Sequence, residues 1–284
     1  MAALVGAHLS TQGGLTHALE AAKALNATAL AMFVKSQRRW QDKPLASEAI
    51  ASFKTALVAT RLTPSSVLVH SGYLINLASP RKEVLEASKA SLVQELERVE
   101  QLGLKYLVLH PGSHLNTSLD EGIKAIASGL TAALSAADSK AVILLENSAG
   151  QGSSIGSRLE ELGAIIEALP AKSARRVAVC LDTCHLWAAG YDFSEDNGCE
   201  AIAKEIKQYF GWELVKGLHV NGSIGACGSH RDRHASLGQG SISKAALAKL
   251  LALAPLHKVP WVLETPDSTL FASEISWLRQ QYGE

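Results

Sequence analysis

Eight short apolar runs alternate with eight amphipathic stretches along this chain, and that alternation restricts the possible folds more than any other feature. The runs, rich in β-branched residues or leucine, are Leu4 to His8, Thr28 to Val34, Ser66 to His70, Tyr106 to His110, Val142 to Glu146, Val177 to Asp182, Val215 to His219 and Trp261 to Glu264. Helical order of Ala, Leu, Glu and Lys marks Leu15 to Leu25, Leu45 to Arg61, Lys82 to Leu102, Leu119 to Ala137, Arg158 to Leu169, Cys199 to Phe210, Ile242 to Leu253 and Ala272 to Tyr282. Run ends recur every ~26 to 45 residues, the length of a strand-loop-helix unit. An α/β chain of this kind is predicted to close as one (β/α)8 barrel over residues 1–284, with a doubly wound open sheet as the competing arrangement. No linker or low-complexity segment divides it, and glycine-rich pieces such as Ala149 to Gly156 and Gly222 to Gly228 read as loops leaving strand ends.

The residues that end the runs carry the functional information. In order they are His8, the Val34 and Lys35 region, His70, His110, Glu146, Asp182, His219 and Glu264. All but the second are His, Asp or Glu. With 10 His and 27 Asp plus Glu in 284 residues, about one such ending in eight is expected by chance. In a barrel these side chains converge on the C-terminal mouth, where such enzymes place their chemistry. The pattern matters more than any single match. Asp182-Thr183-Cys184-His185 alone reads either as a helix N-cap before a surface histidine, or as a carboxylate at a strand tip with an imidazole aimed from the loop beyond.

Four imidazoles and three carboxylates around one mouth would repel and perturb one another unless cations lay between them. Mixed nitrogen and oxygen ligands with no required thiolate suit Zn²⁺ or Mn²⁺ better than Ca²⁺ or Mg²⁺. The segment His230-Arg231-Asp232-Arg233-His234 adds an Asp-x-His pair that, with His185, makes a separate triad; in isolation it also reads as a solvated charged loop. Two cations ~3.5 to 4 Å apart can clamp the attacking and leaving oxygens of a phosphoryl displacement. The same ligand types would also serve a metal-dependent sugar isomerase on the same barrel, so the residues alone leave both reactions open.

Composition narrows the partners. A hydrophobic content of 47%, zero formal net charge and a pI near 7.2 describe a globular chain without the basic footprint of a generic polyanion binder. Nucleic acid stays admissible, because bound divalent cations add positive charge that a residue count omits. No apolar run approaches the ~18 residues of a membrane span. The N-terminus, MAALVGAHLS, lacks the basic region and cleavage pattern of a signal peptide, which predicts the cytoplasm. Cys180, Cys184, Cys199 and Cys227 show no paired spacing and are expected as reduced thiols.

Several motifs together resemble the endonuclease IV family of apurinic/apyrimidinic endonucleases over nearly the whole chain. They are Gly6-Ala7-His8, Gln37-Arg38-Arg39-Trp40, Tyr73-Leu74-Ile75-Asn76-Leu77, His110-Pro111-Gly112-Ser113-His114, Glu146-Asn147-Ser148-Ala149-Gly150-Gln151-Gly152, Asp182-Thr183-Cys184-His185, Asp232-Arg233-His234 and Leu263-Glu264-Thr265-Pro266. The resemblance implies a (β/α)8 TIM barrel carrying three Zn²⁺, with Mn²⁺ admissible in part. It implies a DNA-repair hydrolase that cuts damaged double-stranded DNA 5′ to abasic sites and also trims blocked 3′ ends. His70 and His110 would bind one zinc, and Glu146 would bridge it to a second held by Asp182, His219 and Glu264. His185, Asp232 and His234 would hold the third. Glu146 and Glu264 would be catalytic, and Arg38, Tyr73 and Leu74 would enter the duplex. Without the resemblance, Arg38 reads as a surface charge and Tyr73 and Leu74 as a helix edge over the core.

Two departures from the family pattern stand beside these matches. After His219-Val220-Asn221 the chain has Gly222, Ser223 and Ile224 where the family usually continues with Asp, a small residue and Lys. Ser71 and Gly72 precede Tyr73 where an acidic residue commonly follows the metal-binding histidine. Neither touches an expected ligand. A monomer without an obligate protein partner is expected, and the competing activity is that of a xylose-isomerase-like sugar isomerase or epimerase. The third ligand set separates the two, since such an isomerase needs one or two cations and no Asp232/His234 pair.

Overall fold

Each apolar run pairs with its neighbours in chain order, and the last returns to the first. The computed structural model describes residues 3–283. Its strands are β1 (Val5–His8), β2 (Ala29–Phe33), β3 (Val67–His70), β4 (Tyr106–Leu109), β5 (Val142–Glu146), β6 (Val177–Asp182), β7 (Val215–His219), β8 (Gly222–Ser223), β9 (His234–Ala235) and β10 (Trp261–Leu263). Eight of them, all but β8 and β9, form a closed parallel barrel. The seam decides between barrel and open sheet: Val5 pairs with Trp261, Gly6 with Val262 and Ala7 with Leu263. Gly6 is required there, because a Cβ at that position would lie 1.7 Å from the Ala29 carbonyl oxygen on the neighbouring strand.

Helices return the chain after each barrel strand, including Leu15–Ala24, Ser47–Val58, Lys82–Gln101, Leu119–Ala136, Leu159–Glu167, Gly198–Tyr209, Lys244–Leu251 and Phe271–Tyr282. They bury their apolar stripes against the outer face of the barrel, where Leu92, Leu96 and Val99 from one helix join Leu107 and Leu109 from a strand in one core. Each such leucine removed from water contributes roughly 1.5 to 3 kcal/mol. A second, smaller cluster of Ala29, Ala31, Leu68, Tyr106, Val108, Leu144, Ala178, Cys180 and Val262 fills the barrel interior. The separation follows from the two-residue period of a strand, which sends alternate side chains inward and outward.

That period also explains the mouth. Two residues beyond Leu68, Val108, Leu144, Cys180 and Val262 come His70, His110, Glu146, Asp182 and Glu264, on the same inward-facing side. On β2 the corresponding position, two beyond Ala31, is Phe33. The mouth therefore receives an aromatic ring from that strand, and neither Val34 nor Lys35 faces it as the run ends suggested.

Two local elements differ from expectation. His185 does not sit in a loop: a helix, Thr183–Ala188, begins directly after β6. Within the segments read as loops, Gly222–Ser223 pairs antiparallel with His234–Ala235. Among the described residues no helix is long and apolar enough to cross a membrane, and all four cysteines are free.

Candidate metal centre

Nine of the polar side chains singled out in the sequence meet at the C-terminal mouth in three groups, two of which share a residue. His70, His110 and Glu146 form one; Glu146, Asp182, His219 and Glu264 form the second; His185, Asp232 and His234 form the third. Within each group the donor atoms lie within 4.8 Å of one another. Glu146 belongs to two groups through different oxygens. Its Oε2 faces Nε2 of His70 at 3.2 Å and of His110 at 3.3 Å, while its Oε1 lies 2.7 Å from Nδ1 of His219. A carboxylate whose two oxygens face different donor sets is the arrangement that bridges a pair of cations.

The histidines are oriented from behind. His70 Nδ1 lies 2.9 Å from the Ser71 carbonyl, His185 Nδ1 2.9 Å from the Asn147 carbonyl and His234 Nδ1 3.0 Å from the Glu264 carbonyl. Each ring donates Nδ1–H to backbone and so turns Nε2 to the mouth, the nitrogen that would serve a metal once its proton is displaced. Asp182 is held similarly. Its backbone N–H donates to Asn147 Oδ1 at 2.6 Å, and Asn221 Nδ2 donates to its Oδ2 at 2.6 Å. Asn221 Oδ1 in turn accepts from the Glu264 backbone N–H at 2.8 Å, so one buried amide ties the Asp182 carboxylate to the backbone of Glu264.

Asp182 also satisfies the humbler reading of its motif. Its Oδ1 accepts from the His185 backbone N–H at 2.9 Å and caps the helix Thr183–Ala188. Cap and candidate ligand are one residue using two oxygens. His185 is buried, contrary to the surface histidine that the capping reading supposed.

In the ion-free protein, charge in the mouth is balanced between carboxylates and imidazoles. Burial would lift the Glu146 carboxyl, yet His219 and His110 hold it well below the ordinary carboxylate range. Glu264 is likewise depressed against its burial, chiefly by His219 and His8. Partial burial works to raise Asp232, but its hydrogen bond to His185 draws it down to about 2. Burial disfavours charge on His185, and Asp182 and Asp232 outweigh it, pushing this imidazole up to about 10. Anions this strongly stabilised are ready ligands for cations that displace the imidazole protons.

The donor chemistry fits zinc: neutral imidazole nitrogens and anionic carboxylate oxygens, three or four to a group, beside a cavity of about 290 Å³. Cys184 also lies near Asp182 and His234, and burial and Asp182 push its thiol up to about 12. His8 was visible in the sequence as a strand end without a role in any ligand set. Its Nδ1 lies 2.7 Å from Glu264 Oε1, across the barrel seam.

Sequence reading overlooked Asn147 and Asn221. Their signal was the position directly after a strand-end ligand, and two residues after one, where a short amide can reach the neighbouring strand.

The three residues expected to enter a duplex sit on two adjoining loops at the rim. Arg38 is exposed in the loop after β2. Tyr73 and Leu74, 64% and 37% exposed, lie in the loop after β3 and not on a helix edge. The loops touch, the Tyr73 backbone N–H donating to the Gln37 carbonyl at 3.1 Å. Tyr73 also packs edge-on against Phe33, ring centroids 5.5 Å apart. Its side chain joins the metal mouth to a neighbouring cavity of about 590 Å³ that His110, His185 and Asp232 also line. At the departure from the family pattern, Ser223 is buried in its short ladder and Ile224 stands 68% exposed.

Comparison with known proteins agrees with this architecture. A family model described as a xylose isomerase-like TIM barrel matches residues 19–281. Among solved structures the chain is similar to endonuclease IV from Thermus thermophilus, with 33% identity, 98% of each chain covered and a TM-score of 0.83. It is also similar to AsfvAP:AG, with 20% identity over 100% of this chain and 98% of that one, TM-score 0.76. A 3-keto-D-glucoside 4-epimerase from E. coli shares 16% identity over 98% of this chain and 99% of that one, TM-score 0.67. At such low identity the last two likenesses speak to the fold alone.

Proposed function

This chain belongs to the endonuclease IV family of xylose isomerase-like TIM barrels, and from that premise we propose that it is a zinc-dependent DNA-repair hydrolase. Its substrate is the phosphodiester on the 5′ side of an abasic site in duplex DNA. The products are a 3′-hydroxyl and a 5′-deoxyribose phosphate, and blocked 3′ ends are trimmed by the same chemistry. The observation that carries this reading is the third donor group, His185, Asp232 and His234, beside the two that share Glu146. A sugar isomerase needs one or two cations and has no use for a third set at the rim.

In this reading the nine side chains hold three zinc ions per chain, with manganese admissible at some positions. Zinc, when bound, supplies positive charge and Lewis acidity to the scissile phosphate. The chain's own residues do the rest. Glu146, fully buried, fixes the spacing of two donor groups through its two oxygens. Glu264 closes the second group and is held from behind by His8. Arg38, Tyr73 and Leu74 occupy the stack that a missing base leaves open, which offsets the cost of extruding the abasic nucleotide. With a formal net charge of zero, long-range attraction to intact duplex is weak, so selectivity rests on shape at the lesion. A monomer acting in the cytoplasm without an obligate protein partner completes the proposal.

The deciding experiment incubates metal-loaded protein with a labelled duplex carrying one abasic site. A nick on the 5′ side of the lesion is the expected result. Absence of nicking together with turnover of aldose to ketose would replace the hydrolase with the isomerase.

A further inference from the structure

Lys35 and Glu95 form an ion pair sealed from solvent, Nζ to Oε1 3.2 Å, with side chains 2% and 1% exposed. Neither residue belongs to the donor groups at the mouth. Withdrawing two charges from water is costly, and an apolar pair of similar volume often serves stability as well or better. Burial lifts the Glu95 carboxyl above its ordinary range against the pull of Lys35, so the pair is retained at a cost.

The remaining hydrogen bonds of this pair end on two loops. Lys35 Nζ donates to the carbonyls of Arg39 at 2.6 Å and Trp40 at 3.4 Å, directly after Arg38 in the same turn. The Gly72 backbone N–H, next to Tyr73, donates to both Glu95 oxygens at 3.2 Å. A Cβ at residue 72 would stand 3.3 Å from Glu95 Oε1, so glycine lets the backbone close onto the carboxylate. The helix Lys82–Gln101 reinforces the grip. Gln94 exchanges hydrogen bonds with the Asp42 backbone at 2.9 and 2.8 Å, and Arg98 donates to the carbonyls of Val34, at 2.5 Å, and Lys43. One helix thus holds the loop of Arg38 at several points and the loop of Tyr73 at Gly72 and, through Ser88, at the Asn76 backbone, and the ion pair joins the two sets of contacts beside Arg38 and Tyr73.

We propose that Lys35 and Glu95 are positioning residues that determine lesion specificity, fixing Arg38 relative to Tyr73 and Leu74 so that the three enter a duplex as one unit. The inference rests on the hydrolase reading above. It accounts for a charge pair held out of solvent, for the glycine beside Tyr73, and for the close approach of the two loops.

The test uses the metal-loaded full chain as wild type, as Glu95→Gln, and as the double variant Lys35→Met with Glu95→Leu. The double variant removes both charges and keeps an apolar pair, should the single change fail to fold. Each is assayed on a duplex and on a single strand carrying one abasic site, and amide exchange at Gly72 and Tyr73 is followed in the free protein. The expected result is a rise in duplex KM of roughly tenfold or more, with kcat, single-strand KM and zinc content at wild-type values and faster exchange at both amides. An unchanged duplex KM alongside faster exchange would overturn the inference. So would equal losses on both substrates, or unchanged exchange in both variants. A wild-type protein that nicks neither substrate would overturn the hydrolase reading instead, and the exchange measurement would still decide whether the pair holds the loops.

Discussion

His8 Nδ1 and Glu264 Oε1 stand 2.7 Å apart across the seam where the last barrel strand meets the first. The histidine orients a carboxylate of the four-residue donor group without belonging to that group. Partners of this kind typically set metal affinity by a factor of about 10 to 100. His8→Ala is therefore expected to weaken one zinc by roughly that factor while leaving the zinc at His185, Asp232 and His234 in place. Chelator competition followed by elemental analysis measures it, and an unchanged affinity would remove His8 from this role.

Purified protein is expected to hold three zinc ions per chain, and the three groups should not be equally sensitive to mutation. Glu146 serves two groups and His234 one. Glu146→Ala should thus lower activity at least roughly tenfold further than His234→Ala at matched metal content. Equal losses would mean that Glu146 does not bridge. One zinc or none after gentle purification would undo the three-site assignment altogether.

Much of this site is legible in the sequence. The candidate ligands at the strand ends can be read because a strand period of two places them in line with apolar interior residues, so that seven of the eight runs visibly end in a His, Asp or Glu. The pairing of His8 with Glu264 cannot be read, because only closure of the barrel brings residues 256 positions apart together. The helical setting of His185 is hidden because the signal for an N-cap and the signal for a ligand are the same Asp182. The ladder between Gly222–Ser223 and His234–Ala235 is two residues long and built partly of glycine and serine, which carry no strand signal. Lys35 is the odd member of the run ends, and its side chain serves the buried network behind the mouth instead.

Stability of the ion-free protein should depend on pH through His185. Its folded pKa, opposed by burial and raised by Asp182 and Asp232, is about 10 against an ordinary 6.5. A pKa raised on folding gives a contribution that is complete below about pH 6.5 and lost as pH climbs to about 10. Chelated wild type is therefore expected to lose thermal stability across that window, and chelated His185→Gln to lose less of it. Parallel curves for the two chelated proteins would sink the assignment. In zinc-loaded protein the ring is already neutral, and the dependence should disappear.

The rim residues are expected to read the lesion and not the metal. Changing Arg38, Tyr73 and Leu74 together to alanine should cost about 1 to 3 kcal/mol for each lost stacking contact on an abasic duplex. Zinc content should be unaffected, and a short single-stranded abasic substrate, which needs no filling of a stack, should suffer much less. Equal losses on both substrates, or full activity on duplex, would withdraw these residues from recognition.

The inward face of the barrel carries core residues and candidate ligands in a single phase, Leu144 before Glu146 and Val262 before Glu264. Inserting or deleting one residue in such a strand would turn its core side chain outward and its ligand away from the mouth in the same step. Length changes can then accumulate in the connecting loops and scarcely at all within the strands. Where the strand runs without a bulge, the chemistry of the mouth and the packing beneath it therefore change together.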